Sequence, residues 1–243
     1  ADSVFLLAAK ARVQPSIENP VEYMDVNVQG TIKVLECSRI ANVQKFIYSA
    51  SSSCYGVAQT PTDEKHSIEP QYPYALSKFQ GEAAALHWNK VYKLPVNSIR
   101  IFNAYGTRVR TTGAYGAVFG VLLKQKLENK PLTIVGDGEQ KRDFIYVTDV
   151  AKAFYLASQS NLSGRVYNLG ANNPQSINYL AKLIGGDIVS LPERPGEPKI
   201  TWANIDLIQS ELNWKPLISF ENGVSNMLKN ISHWKDGPLW DKE

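Results

Sequence analysis

The sequence predicts an α/β fold, a parallel sheet flanked by helices and followed by a smaller lobe, on three observations. Short apolar runs alternate with amphipathic stretches through the first half of the chain, the pattern of strands joined by crossover helices. One of these runs leads directly into serines, at the strand end where open α/β sheets place their ligands. Beyond residue 102 the turn signals Gly136-Asp137-Gly138, Asn172-Asn173-Pro174 and Pro195-Gly196-Glu197-Pro198 break the chain into shorter elements.

The first strand is expected over Val4 to Ala8. Asn19-Pro20 then offers a cap and a proline suited to the first helical position, and the helix should run to about Ile40. A second strand, Lys45 to Ser49, precedes Ser51-Ser52-Ser53. Pro73 opens the next helix, from Tyr74 to about Tyr92, in which Leu76, Phe79, Ala83 and Leu86 follow helical spacing and should face the core. Val96 to Ile101 supplies a third strand and Leu132 to Val135 a later one. Gly113, Gly116 and Gly120 lack the spacing and preceding strand of a phosphate loop, so they read as a loop entering a helix. The expected division is 1–101 for the sheet unit and 102–243 mainly for the second lobe, with some segments returning to the sheet.

With 243 residues and 44% hydrophobic content, the chain can bury one large core or two modest ones. A net charge of +3, with both signs interspersed, gives no nucleic-acid footprint. Cys37 and Cys54 form neither a disulfide framework nor a zinc spacing, so no metal is expected and a reducing, cytoplasmic setting is. The apolar opening is too short to span a membrane, and no targeting segment is visible.

The chemistry centres on Tyr74 and Lys78, which share a face if Pro73 starts the helix. A phenol titrates near pH 10, and a neighbouring ammonium lowers that value, so Tyr74 could act as a general base with Ser51 completing a proton relay. The apolar stripe is centred away from the pair, which should therefore look into a cleft.

Ser51, Tyr74-x-x-x-Lys78, Arg100-Ile101-Phe102-Asn103, Gly136-Asp137-Gly138 and Arg142-Asp143-Phe144 occur in the order of motifs in extended short-chain dehydrogenases that modify nucleotide sugars. Leu7-Ala8-Ala9, Asn27-Val28-x-Gly30-Thr31 and Glu211-Leu212-Asn213-Trp214-Lys215-Pro216 extend the resemblance over nearly the whole chain. The chain resembles an NAD-dependent epimerase/dehydratase, which implies a Rossmann-like, doubly wound sheet with a C-terminal substrate-binding lobe. Such proteins begin with a strand, a glycine-rich turn for the cofactor pyrophosphate and an acidic residue for its ribose. By that resemblance this chain opens at the fourth strand, lacks roughly 60 to 80 residues, and should leave an apolar edge at Val4 to Ala8 prone to pairing or aggregation.

The resemblance implies Tyr74 as base, Lys78 on the nicotinamide ribose and Ser51 on the reacting oxygen. Ala8, Ala9, Asn27, Ile101 and Phe102 would line the NAD site, and Asn103, Arg142, Arg194 and Glu197 the nucleotide diphosphate and ribose. Thr201 matches a position beside the hexose, where a small residue permits an N-acetyl group. Dehydratases and decarboxylases of this family carry acids after the catalytic hydroxyl; here Ser52 and Ser53 stand there. That favours a UDP-hexose or UDP-N-acetylhexosamine 4-epimerase over a 4,6-dehydratase or decarboxylase. A third reading, resting on the missing glycine turn, is a catalytically silent binding or assembly module. A homodimer through a four-helix contact, using the 19–40 and 74–92 helices, is a further expectation.

Overall fold

Along the chain, β1 (Ser3–Leu6) leads to α1 (Val13–Glu18), α2 (Pro20–Met24), a π-helical turn (Asp25–Gln29) and α3 (Gly30–Ile40). β2 (Lys45–Ser51) ends in a 3-10 turn (Ser52–Tyr55), and α4 (Pro73–Tyr92) returns to β3 (Val96–Ile101). The second half carries β4 (Asn103–Tyr105), α5 (Val118–Leu127), β5 (Leu132–Val135), β6 (Lys141–Arg142), β7 (Phe144–Tyr146) and α6 (Val147–Gln159). It continues through β8 (Arg165–Leu169), β9 (Gln175–Ser176), α7 (Ile177–Ile184), β10 (Ile188–Leu191), α8 (Asp206–Leu212) and α9 (Phe220–Lys229). These elements come from a computed structural model that describes residues 1–112, 118–193 and 198–240.

Four parallel strands form the main sheet in the order β1-β2-β3-β8. Parallel neighbours need crossovers, supplied by α1 to α3 between the first pair and by α4 between the second. Both faces are covered, so alternate residues of β2 enter different cores. Phe46, Tyr48 and Ala50 pack with Leu35, Ala85 and Val96; Ile47 packs with Ile99, Tyr167 and Phe154 on the other side. β1 is the edge strand among those described, with Phe5 and Leu7 exposed.

Three sequence expectations change. The first strand stops at Leu6, where its ladder with β2 ends opposite Tyr48, and Ala8 and Ala9 leave the sheet. The helix expected from Asn19 to Ile40 is preceded by α1 and interrupted by the π-helical turn, a distortion that often marks functional positions and here carries the buried Asn27. The third change concerns α4. Leu76 and Ala83 of its apolar stripe are exposed, whereas Ala75, Lys78, Glu82 and Ala85 are buried. Lys78 and Glu82 therefore lie on the core face of their own helix, because Tyr48 receives the first and Arg100 the second where a purely apolar floor would not.

Gly81 is fitted to this contact. A Cβ there would meet the Tyr48 hydroxyl at 2.2 Å and the Asn27 carbonyl at 3.1 Å. Gly81→Ala is expected to lower stability by about 1–3 kcal/mol, the usual cost of overpacking; a denaturant titration with unchanged midpoint would contradict it.

In the second lobe, β5 pairs in parallel with β10 rather than joining the main sheet. β4 pairs with β7, and β6 with β9. An aromatic core fills the lobe, with Tyr105 stacked on Phe119 at 4.2 Å and Phe144 on Phe220 at 5.4 Å. Gly120 lies inside α5, while Gly113 and Gly116 fall outside the described residues. Among the described residues both cysteines are free thiols, no helix is long and apolar enough to cross a membrane, and no group of His, Cys, Asp or Glu could hold a metal ion.

Candidate active site

The site is assembled where β2, β3 and α4 meet. Ser51 is the last residue of β2 and lies opposite Ile101 of β3. Its Oγ accepts from the Ser53 backbone N–H at 3.2 Å, capping the following turn, and lies 2.8 Å from Ser53 Oγ. Tyr74 stands in the first turn of α4, after Pro73 at the helix start. Its ring meets Tyr23 edge-on at 6.4 Å and stacks on Tyr72 at 6.5 Å.

Asn27 binds the loop after β1 to this turn. It donates from Nδ2 to the Lys10 carbonyl and to Ser77 Oγ, both at 2.9 Å, and its Oδ1 accepts from the Lys10 N–H at 2.7 Å. Ser77 Oγ in turn donates to the Tyr74 carbonyl at 2.9 Å. One amide thus joins the segment beyond Ala8 and Ala9 to the backbone beneath Tyr74.

Lys78 is only 5% exposed. Its ammonium lies 4.5 Å from the centre of the Tyr48 ring, and burial lowers its pKa to about 8 against the opposing effect of Glu82. The folded chain therefore binds fewer protons than the unfolded one between about pH 8 and 10.5. Lys78 costs stability below that window, and the cost is relieved as pH rises through it. Tyr74 runs the other way from the sequence expectation: burial raises its phenol above the ordinary value, and the Ser51 hydroxyl opposes that rise. Lys78 does not pull it down, because the ammonium sits on Tyr48.

Behind Lys78, Arg100 and Glu82 form a buried pair. Nη2 donates to Oε1 at 2.6 Å and Nε to Oε2 at 3.0 Å, with Ser98 Oγ donating to the same carboxylate at 2.8 Å. Arg100 Nη1 also donates to the Tyr55 hydroxyl at 2.7 Å, which donates onward to Asn168 Oδ1 at 2.7 Å. The network clamps α4 to β3 and to the turn after Ser51.

On the second-lobe side, Thr201 Oγ1 donates to Asn103 Oδ1 at 2.8 Å, and Arg142 Nη1 donates to the Pro198 carbonyl at 2.8 Å. The fully buried Asp143 accepts from the N–H groups of Ala171, Asn172, Asn173 and Ala203 at 2.9 to 3.4 Å. Its carboxylate gathers the 171–173 loop and Ala203, two residues past Thr201, beside Arg142, while its backbone carbonyl accepts from the Asn103 N–H at 3.2 Å. Ile101 and Phe102 run alongside Leu169, whose carbonyl accepts from the Phe102 N–H at 2.9 Å. Arg194 and Glu197 lie outside the described residues.

Residues 1–170 match the model of the NAD dependent epimerase/dehydratase family. The chain belongs to that family. It is 36% identical to a putative UDP-glucose 4-epimerase of Methanocaldococcus jannaschii, covering 93% of this chain and 74% of the relative. Among solved structures it is similar to the UDP-N-acetylglucosamine 4-epimerase of Methanobrevibacter ruminantium in complex with UDP-N-acetylmuramic acid (31% identity, TM-score 0.88, 94% of this chain and 77% of that one). It is likewise similar to the UDP-glucuronic acid 4-epimerase of Bacillus cereus in complex with UDP-glucuronic acid and NAD (32%, 0.88, 95% and 75%).

NAD is the cofactor of this epimerase/dehydratase family, and the described residues fit its nicotinamide ribose. Lys78 is buried yet hydrogen-bonds to no acceptor among them, while their fully enclosed polar side-chain atoms all have partners, so the ammonium tip keeps an opening for a ligand hydroxyl. These residues stand on the nicotinamide side of the cofactor. Tyr48, Glu82 and Asp143 have no role in the sequence reading. The signal for Glu82 was its place one turn after Lys78, where an acid on a buried face needs a cationic partner.

Proposed function

We propose that the protein is a UDP-hexose or UDP-N-acetylhexosamine 4-epimerase that works through a transient 4-keto sugar. The observation that carries this reading is the meeting of the Ser51 and Tyr74 hydroxyls at the carboxyl end of β2, with Lys78 one turn further along α4, and with the hydroxyls of Ser52 and Ser53 rather than carboxylates after Ser51. Bound NAD supplies the hydride acceptor and donor. The chain holds and moves the proton: the Tyr74 phenol, raised in the chain alone, would be drawn toward phenolate by the positive charge of an oxidised nicotinamide beside it and would then take the proton from the sugar hydroxyl, while Ser51 orients the oxygen and Lys78 holds a ribose hydroxyl and supplies further positive charge to the cleft. With hydroxyls rather than carboxyls after Ser51, the turn offers no additional acid–base pair for eliminating water from the sugar. Asn103, Arg142, Arg194 and Glu197 serve the nucleotide, with arginine forks suited to its diphosphate. Thr201 borders the hexose, and Ala8, Ala9, Asn27, Ile101 and Phe102 border the cofactor.

Incubating the chain with NAD and UDP-sugars, and following the sugar by NMR, should show inversion at C4. Formation of a 4-keto-6-deoxy sugar without an epimer would sink the reading. The pH profile gives a second check. kcat/KM should fall as pH rises through about 8, where Lys78 loses its proton, and Lys78→Arg should remove that limb because a guanidinium does not titrate there.

The same reading includes a homodimer. The outward stripe of α4, Leu76, Gln80, Ala83, His87 and Val91, is exposed along its length with three apolar members, as a helix-to-helix interface needs. The free thiols of Cys37 and Cys54 support a cytoplasmic setting.

A further inference from the structure

We infer that Tyr48 is a positioning residue for the reaction: its ring is the seat of the Lys78 ammonium, and its hydroxyl anchors the turn that carries Lys78. The inference rests on the epimerase reading only for its effect on turnover. Three observations converge on it. The Lys78 ammonium lies 4.5 Å from the ring centre, within the range of a cation held on an aromatic face. The Tyr48 hydroxyl donates to the Lys78 carbonyl at 3.1 Å, fixing backbone and side chain of one residue from a single ring. Space for that hydroxyl exists because position 81 carries no side chain, a Cβ there falling 2.2 Å from it.

The ring matters because nothing else among the described residues takes that charge directly. Lys78 is faced by Tyr48 from β2 and by the charge of Glu82 from its own helix. Glu82 is already engaged by Arg100 of β3, and Tyr23 of α2 abuts Tyr74. Burial pushes the Tyr48 phenol upward, so it stays protonated as a donor to the Lys78 carbonyl and does not compete as an acid. An aromatic face favours the ammonium over the neutral amine without consuming its N–H donors. Those donors stay available for a ligand.

The test places phenylalanine and then mono-, di- and trifluorinated phenylalanine at position 48, which drains the ring's negative face at nearly constant volume. The readout is the titration of Lys78 by lysine ε-carbon NMR in the 243-residue chain, assigned by Lys78→Arg. Tyr48→Phe should leave the Lys78 titration within a few tenths of its starting value and lower kcat only a few-fold. The fluorinated series should move the titration downward stepwise, by about one pH unit in all, and carry the high-pH limb of the rate with it. An unchanged titration across the series overturns the inference. If the unsubstituted chain turns over no UDP-sugar, a stepwise shift still supports the seat, and the failure falls on the epimerase reading.

Discussion

Tyr74→Phe is expected to lower kcat for C4 inversion by about 10²- to 10⁴-fold, the range ascribed to a positioned general acid or base, with little change in KM or melting temperature. The ring's contacts with Tyr23 and Tyr72 survive the change, and the residue is anchored through its backbone carbonyl, which accepts from Ser77 Oγ. Only the hydroxyl and its hydrogen bond with Ser51 are lost. Steady-state NMR assays over a range of UDP-sugar concentrations separate the outcomes. A fall confined to KM would make Tyr74 a binding residue, and an unchanged kcat would remove it from the chemistry.

Arg100→Met is expected to be the most damaging single change to stability. Glu82 and Arg100 have side chains only 2% and 6% exposed, so removing the cation leaves a buried carboxylate holding only the Ser98 hydroxyl. Losing one partner of a buried pair costs about 3–5 kcal/mol, or roughly 10 °C in melting temperature for a chain of this size. Replacing both, as Glu82→Leu with Arg100→Met, should recover much of that loss, since the pair itself repays little more than its own desolvation. Calorimetry on the two singles and the double resolves the coupling. Additive losses would show that the two residues act separately, against the bidentate geometry.

The two changes also separate fold from chemistry. Arg100 reaches the turn after Ser51 through Tyr55 and the helix of Lys78 through Glu82, so weakening it should loosen both halves of the site together. Tyr74→Phe leaves that frame intact and removes one proton.

Much was legible in one dimension because its causes are local. Val96 to Ile101 and Leu132 to Val135 emerge as strands with the expected limits, since short β-branched runs between turn residues leave few alternatives. Pro73 starts α4 because its fixed φ and missing N–H suit a first helical position. The pairing of strands was less legible. β5 resembles a sheet strand in composition but joins β10, a choice made by the chain's return path.

The α4 face shows why periodicity misled. A hydrophobic stripe ranks side chains by their transfer from water, and on that scale Leu76 and Ala83 belong inside. The fold instead buries Lys78 and Glu82, because an aromatic face and a guanidinium wait for them on adjacent strands. Such compensation between residues 18 or 30 positions apart has no signature in a window of one helix.

The residue types and their spacing alone determined that this chain carries a tyrosine and a lysine one helical turn apart, a serine at a strand end, and an acid-free turn after it. Those are covalent facts read through local geometry. Tertiary structure alone decided that Lys78 rests on the Tyr48 ring, that Tyr74 is raised rather than lowered, and that Asp143 ties the 171–173 loop to Ala203. Charge interactions depend on distance and on exclusion of water, and both are set only when distant segments pack.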